Sequence, residues 1–200
     1  MHSNGGLRPP HRGALGVAGE IVAQAQPADL AQPTPCAGWD LQALLTHMIG
    51  QNDGFATAVT TGDAPESAYV RPPVPHDDLA REWYRSTDRI LTALARARVD
   101  DEVRLIEINP ETTFPVAAAA SMHLLDTVVH TSDVASSLGR PYRPDDELVD
   151  IVSALAERVP SGASRTEPGA AFAPKVTTNA SDQWLQTLAL LGREQSLPEG

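Results

Sequence analysis

A chain of 200 residues with 42% hydrophobic content is long enough to bury one core and to carry a small C-terminal addition. Its formal charge of -11 and pI near 4.8 repel phosphate backbones and anionic lipid, and no basic cluster offsets that balance locally. The single cysteine, Cys36, excludes an internal disulfide framework and a multi-thiolate zinc site, so a metal would have to be held by nitrogen and oxygen.

The first stretch, residues 1–12, is rich in Gly, Pro and His and reads as a flexible N-terminus. The following GALGVAGEIVAQAQ is interrupted by Glu20 and has neither a signal-peptide core nor a cleavage pattern. With no apolar run long enough to span a bilayer, the expectation is a soluble, cytoplasmic protein that binds neither membrane nor nucleic acid. Of the fifteen basic residues only Lys175 is a lysine, a bias typical of GC-rich genomes.

Helical periodicity dominates the chain. Leu15, Ala18, Ile21 and Val22 make an apolar stripe that predicts a first helix from Gly13 to Gln26, before Pro27 and the loop QPTPCAG. Asp40 is a candidate N-cap for a second helix whose buried side carries Leu41, Leu44, Leu45, Met48, Phe55 and Val59, and Gly62 closes it. A Pro-rich connection leads to a third helix, with Leu79, Trp83, Ile90, Leu91 and Leu94 at three-to-four spacing and Asp77 or Asp78 as its cap. Val103 to Ile108 reads as a short extended segment. Pro115 then fits the first turn of a fourth long helix that runs to Gly139. A fifth helix is expected from Pro144 to Val159, a loop follows by composition, and a last helix spans Ser181 to Leu191. Four long helices with short or Pro-rich connections predict an all-α bundle with additional C-terminal helices.

The fourth helix holds more than core. At about 100° per residue, His123, Asp126, His130 and Asp133 fall within roughly an 80° sector, while the other faces carry Leu124, Leu125, Val128, Val129, Val134, Ala135 and Leu138. Such a helix is buried nearly all round, so its ionisable stripe must face the interior or a pocket, where an unpartnered carboxylate costs several kcal/mol. Asp126 and His130 are four residues apart and stand one above the other. His47 borders the apolar stripe of the second helix. If these two helices pack side by side, His47, Asp126 and His130 converge as a two-histidine, one-carboxylate set, which zinc or ferrous iron accepts with open positions.

Asp133 reads either as an acceptor that fixes the tautomer of a ligating histidine or, equally, as a solvated or N–H-bonding helical aspartate. His123, two turns before His130, reads as a pocket residue in competition with core filler. Trp39 either walls the pocket or plugs the core. Cys36 has no activating base at defined spacing and reads as a packed loop thiol. The residues alone leave open a metal-dependent enzyme, a non-catalytic bundle that binds a ligand or dimerises, and a metal-assisted hydrolase with Asp133 or His123 as base.

The segments TPCAGWDLQALLTHMIGQNDGFA (34–56) and FPVAAAASMHLLDTVVHTSDVASSLGRP (114–141), and more weakly FAPKV with the later WLQTLALLGR, resemble the DinB-like four-helix-bundle superfamily, specifically its actinobacterial branch of mycothiol-dependent maleylpyruvate isomerase-like, metal-binding proteins. The resemblance implies a DinB-like bundle over residues 13–140, with residues 141–200 as a helical extension packed on it. It places the metal on His47, Asp126 and His130, with zinc as first choice and nickel or iron as alternatives. It also implies mycothiol as co-substrate: the cation lowers the pKa of the thiol, and the thiolate adds to a small electrophilic substrate. Isomerisation follows if the adduct rotates and expels the thiol, and S-transfer if it persists. The chain departs from the family in two places. Asp126 stands where Glu is frequent, and His130-Thr131-Ser132-Asp133-Val134 replaces a His-Gly-Trp-Asp-Leu run.

Overall fold

The computed structural model describes residues 8–162, 165–166 and 170–194. The chain divides into two compact units, Met1–Leu138 and Gly139–Gly200.

The first unit holds four helices: α1 (Arg8–Val22), α2 (Leu41–Thr61), α3 (His76–Arg96) and α4 (Val116–Ser137). Asp40 caps α2 by accepting from Ala43 N, and Gly62, at φ 85°, supplies the left-handed turn that ends it. At the start of α3 the cap is Pro75 rather than Asp77 or Asp78, which lie inside the first turn, where their charge complements the helix dipole. Pro115 likewise precedes α4 as its cap.

Helix α1 differs most from the sequence reading. It opens at Arg8, so residues 8–12, assigned above to a flexible N-terminus, are helical; residues 1–7 lie outside the described residues. Pro9 and Pro10 are compatible with this start because first-turn N–H groups need no helical partner. A buried anchor gives the turn its purpose: His11 is 1% exposed.

Helix α2 packs against α3 and α4, and α1 packs against the same two, closing a four-helix ring. Leu41, Leu44, Leu45 and Ile49 of α2 and Val116, Ala119, Leu124, Val128 and Val129 of α4 are all at zero exposure, each large aliphatic side chain contributing about 1.5–3 kcal/mol. Between α2 and α3 the contact is partly polar. Asn52 Nδ2 donates to Ser86 Oγ at 3.0 Å, and Arg71, from the connection, bonds Asp53 at 2.5 Å and Glu82 at 2.6 Å. The connection itself lies close to α2: a Cβ at Gly50 would stand 2.0 Å from the Tyr69 carbonyl oxygen and one at Gly54 2.1 Å from its ring, so only glycine admits Tyr69 there.

Two short strands, β1 (Glu102–Arg104) and β2 (Thr113–Pro115), pair antiparallel with Val103 opposite Phe114 and lead into α4. The extended segment expected over Val103 to Ile108 is thus shorter and lies one residue earlier. The second unit holds α5 (Asp146–Ala156) and α6 (Gln183–Leu190), capped by Asp145 and Asp182. They are joined by Gln183 Nε2 donating to Asp150 and by a 2.6 Å hydroxyl pair, Ser153 with Thr187. Among the described residues no helix is long and apolar enough to cross a membrane. The molecule is mostly helical and has a DinB-like fold.

Candidate metal centre

Two helices and one loop supply the site. His47 sits in the second turn of α2, on the border between core and solvent. Asp126 and His130 are one turn apart on α4, half-buried and buried respectively. One donor atom from each of the three lies within 4.8 Å of the others. His130 Nε2 stands 3.3 Å from Asp126 Oδ1, and the rings of His47 and His130 meet edge to face with centroids 5.2 Å apart. Two imidazoles and a carboxylate are the donor set that zinc takes when it keeps a position open. The residues fit a divalent cation.

The other edge of His130 is tethered. Its Nδ1–H donates to Asp133 Oδ2 at 3.0 Å, and Asp133 has no exposed surface at all. This hydrogen bond directs the lone pair of Nε2 toward Asp126 and His47.

The loop before α2 brings two further side chains. Thr34 Oγ1 accepts from Cys36 N at 3.1 Å and donates to the Trp39 carbonyl at 2.9 Å, and Trp39 N returns to the Cys36 carbonyl. Gly38, at φ 82°, allows the turn. Trp39 thereby lies over His47 at 4.6 Å between centroids, as a wall on the site rather than a plug of the core. Cys36 Sγ–H donates to Asp133 Oδ2 at 3.3 Å and lies 3.7 Å from His130 Nδ1. Cys36 is thus a loop thiol packed against α4 with Asp133 as acceptor, a partner that the sequence reading did not name. The contact spans 97 positions in the chain, and only the Thr34–Gly38 turn signature hints that the loop is fixed.

His123 is elsewhere. It is 1% exposed and hydrogen-bonded through Nδ1 to His11 Nε2 at 2.8 Å, with the ring of Phe55 5.0 Å away. It fills core rather than lining the site.

Charge follows these surroundings. Burial lowers His47 to about 4, against the attraction of Asp126 and with a push from His130. Burial would raise Asp126, but the charge and hydrogen bond of His130, followed by His47 and His123, hold it below the usual carboxylate range. Burial likewise disfavours the His130 imidazolium, yet Asp126, Asp133 and Cys36 together raise it well above the ordinary histidine value. Without a cation His130 carries the positive charge of the site. A divalent ion would take the place of its Nε2 proton.

The mycothiol maleylpyruvate isomerase N-terminal domain matches residues 14–135, nearly all of the first unit. The chain belongs to this family. Two solved structures share its fold: a mycothiol-dependent maleylpyruvate isomerase (TM-score 0.60, 14% identity) and a histidine-to-alanine mutant of such an enzyme (TM-score 0.61, 13% identity). Each comparison covers 78% of this chain and 70% of the other. No curated protein sequence matches the chain.

In this member of the mycothiol maleylpyruvate isomerase family, a cavity of about 420 Å³ opens beside His47. Asp40, Thr46, Tyr69, Arg71 and Glu107 are among its walls. The Tyr69 hydroxyl is buried without a hydrogen-bond partner among the described residues, and burial, then Glu107 and Asp63, push its pKa up to about 12. It therefore stays protonated at neutral pH.

Proposed function

We propose that the chain is a metal-dependent enzyme that uses a low-molecular-weight thiol, mycothiol by family, to isomerise or S-transfer a small electrophilic substrate. One observation carries the reading: His47, Asp126 and His130 bring donor atoms within 4.8 Å of one another beside a cavity, in a chain of this family. Zinc is the first choice by family resemblance, and the donor set accepts ferrous iron as well. A bound divalent cation supplies the positive charge that keeps a thiol sulfur deprotonated at neutral pH.

The chain's own residues do the rest. His47 and His130 hold the cation from two helices, and Asp126 neutralises half its charge. Asp133 keeps His130 in the tautomer that binds. Trp39 covers His47 and limits water on that side. The cavity beside His47 holds the electrophile within reach of the sulfur, with Tyr69 and Arg71 among its walls. A metal-assisted hydrolase is disfavoured on two grounds. Such an enzyme needs a base near its water, but Asp133 is engaged by His130 and Cys36, and His123 is buried in the core, 1% exposed, away from the site.

The test is metal analysis and turnover of the purified protein beside His47→Ala. The expected result is one divalent ion per chain, with conversion of a maleylpyruvate-type substrate only when mycothiol is present. His47→Ala should lose most of the metal while keeping its helical circular dichroism. Absence of metal after titration, or turnover that ignores the thiol, would overturn the reading.

A further inference from the structure

We propose that the Cys36 thiol is a positioning group for the candidate metal centre, acting through Asp133 on the ring of His130. The inference rests on the metal-site reading above and adds a residue outside the three donors.

Three observations support it. Asp133 Oδ2 receives two donors from different parts of the chain, His130 Nδ1–H at 3.0 Å from its own helix and Cys36 Sγ–H at 3.3 Å from the loop before α2. Asp133 is wholly buried, so its oxygens are oriented by protein donors and not by bulk water. Cys36 is itself held in place, because the Thr34 hydroxyl accepts its backbone N–H and the Trp39 amide closes the same turn.

The consequence is geometric. Whether His130 Nε2 faces Asp126 and His47 depends on the rotation of one ring, and the tether at Nδ1 sets that rotation. A second donor on the same oxygen narrows the orientations that the carboxylate can take. The loop thus fixes the ligand histidine on α4 while Trp39, from the same turn, lies over the ligand histidine on α2. Cys36 lies at the Nδ1 edge of His130, 3.7 Å from that nitrogen, whereas Asp126 lies at the Nε2 edge. Its sulfur is therefore not a ligand for an ion held at Nε2, and its proton is committed to Asp133.

The experiment measures zinc affinity by chelator competition on the full chain, with cobalt(II) spectra as a second readout. Cys36→Ala should weaken zinc by about three- to tenfold, the scale of one modest hydrogen bond. Cys36→Ser should restore most of that loss. Asp133→Ala should weaken zinc by about 10–100-fold, and adding Cys36→Ala to it should change nothing further, because the thiol acts through the missing carboxylate. Asp133→Asn replaces the alanine variant if that one does not fold. Additive losses would overturn the inference, as would an unchanged affinity in Cys36→Ala or a serine variant as weak as the alanine one. A sulfur-to-cobalt charge-transfer band that vanishes with Cys36 would make the thiol a ligand and overturn it too. A wild-type protein that binds no zinc would remove the metal centre itself, and this inference with it.

Discussion

Helix α4 carries two buried histidines two turns apart that have opposite fates. His123 is held down at about 4 by burial, with only Asp126 pulling the other way, and it shares a hydrogen bond with another neutral ring, His11. His130 is just as deep, yet it is raised well above its ordinary value because Asp126 and Asp133 flank its two nitrogens and outweigh burial. Burial is common to both; the carboxylates differ. A buried imidazole that faces two acids is prepared for positive charge, whether that charge is a proton or a metal ion. One that faces an imidazole and a phenyl ring is prepared for none.

Removing each ring in turn breaks the comparison most directly. His130→Ala is expected to reduce metal affinity by more than about 100-fold, since it deletes a donor and releases the tether to Asp133. It should also destabilise the fold by about 1–3 kcal/mol, because the buried Asp133 loses the hydrogen bond of His130 while keeping that of Cys36. His123→Leu leaves no charge behind. It should cost about 1–3 kcal/mol for the orphaned His11 nitrogen, with zinc affinity within about twofold of wild type. Urea melts and chelator competition on the two variants check both halves; equal effects on metal would erase the distinction.

Acid sharpens the same contrast. In the folded, metal-free protein His11, His47 and His123 all lie below 6.5, so the unfolded chain binds protons more readily once the pH falls below that value. Stability is therefore expected to decline from about pH 6.5 down to about 4. His123 alone accounts for on the order of 3 kcal/mol. The His130 and Asp126 pair adds no slope in this window. The contribution of His130, raised in the fold, is complete below 6.5, and that of Asp126, lowered in the fold, is lost only below 3.8. Stability curves of wild type and His123→Leu across pH 4 to 7 test this. A variant with the full wild-type slope would remove His123 as its source.

Local signals made the scaffold of this contrast legible in the sequence. The three-to-four spacing of leucines, the Asp40 and Gly62 punctuation and the nearly uncharged flanks of α4 define long helices and one interior ionisable stripe. Asp126 and His130 could be paired because a helix fixes what lies four residues away. His47 could be added because its helix is amphipathic and short connections make the helices neighbours. Two partners escaped that logic. His11 follows two prolines and reads as tail, yet first-turn prolines are compatible with a helix, and its bond to His123 spans 112 positions. Cys36 reads only as a packed loop thiol because its acceptor lies 97 positions away, across a packing angle that no periodicity encodes.

The smallest effect concerns the wall of the site. Trp39 is 36% exposed and rests on His47 at 4.6 Å between centroids, but it reaches His130 only at 6.4 Å. A tilted aromatic pair of this kind is worth about 0.5–1.5 kcal/mol beyond its area. Trp39→Ala should therefore weaken zinc by no more than about tenfold, through His47, and leave the tether of His130 untouched. Trp39→Phe should recover most of the loss, since it keeps an aromatic ring beside His47. If the phenylalanine variant binds zinc no better than the alanine one, stacking is not what orients His47. In that case burial at the edge of α2 sets its ring, and the two histidines of the centre are held by unlike means: His130 by charge, His47 by packing within its own helix.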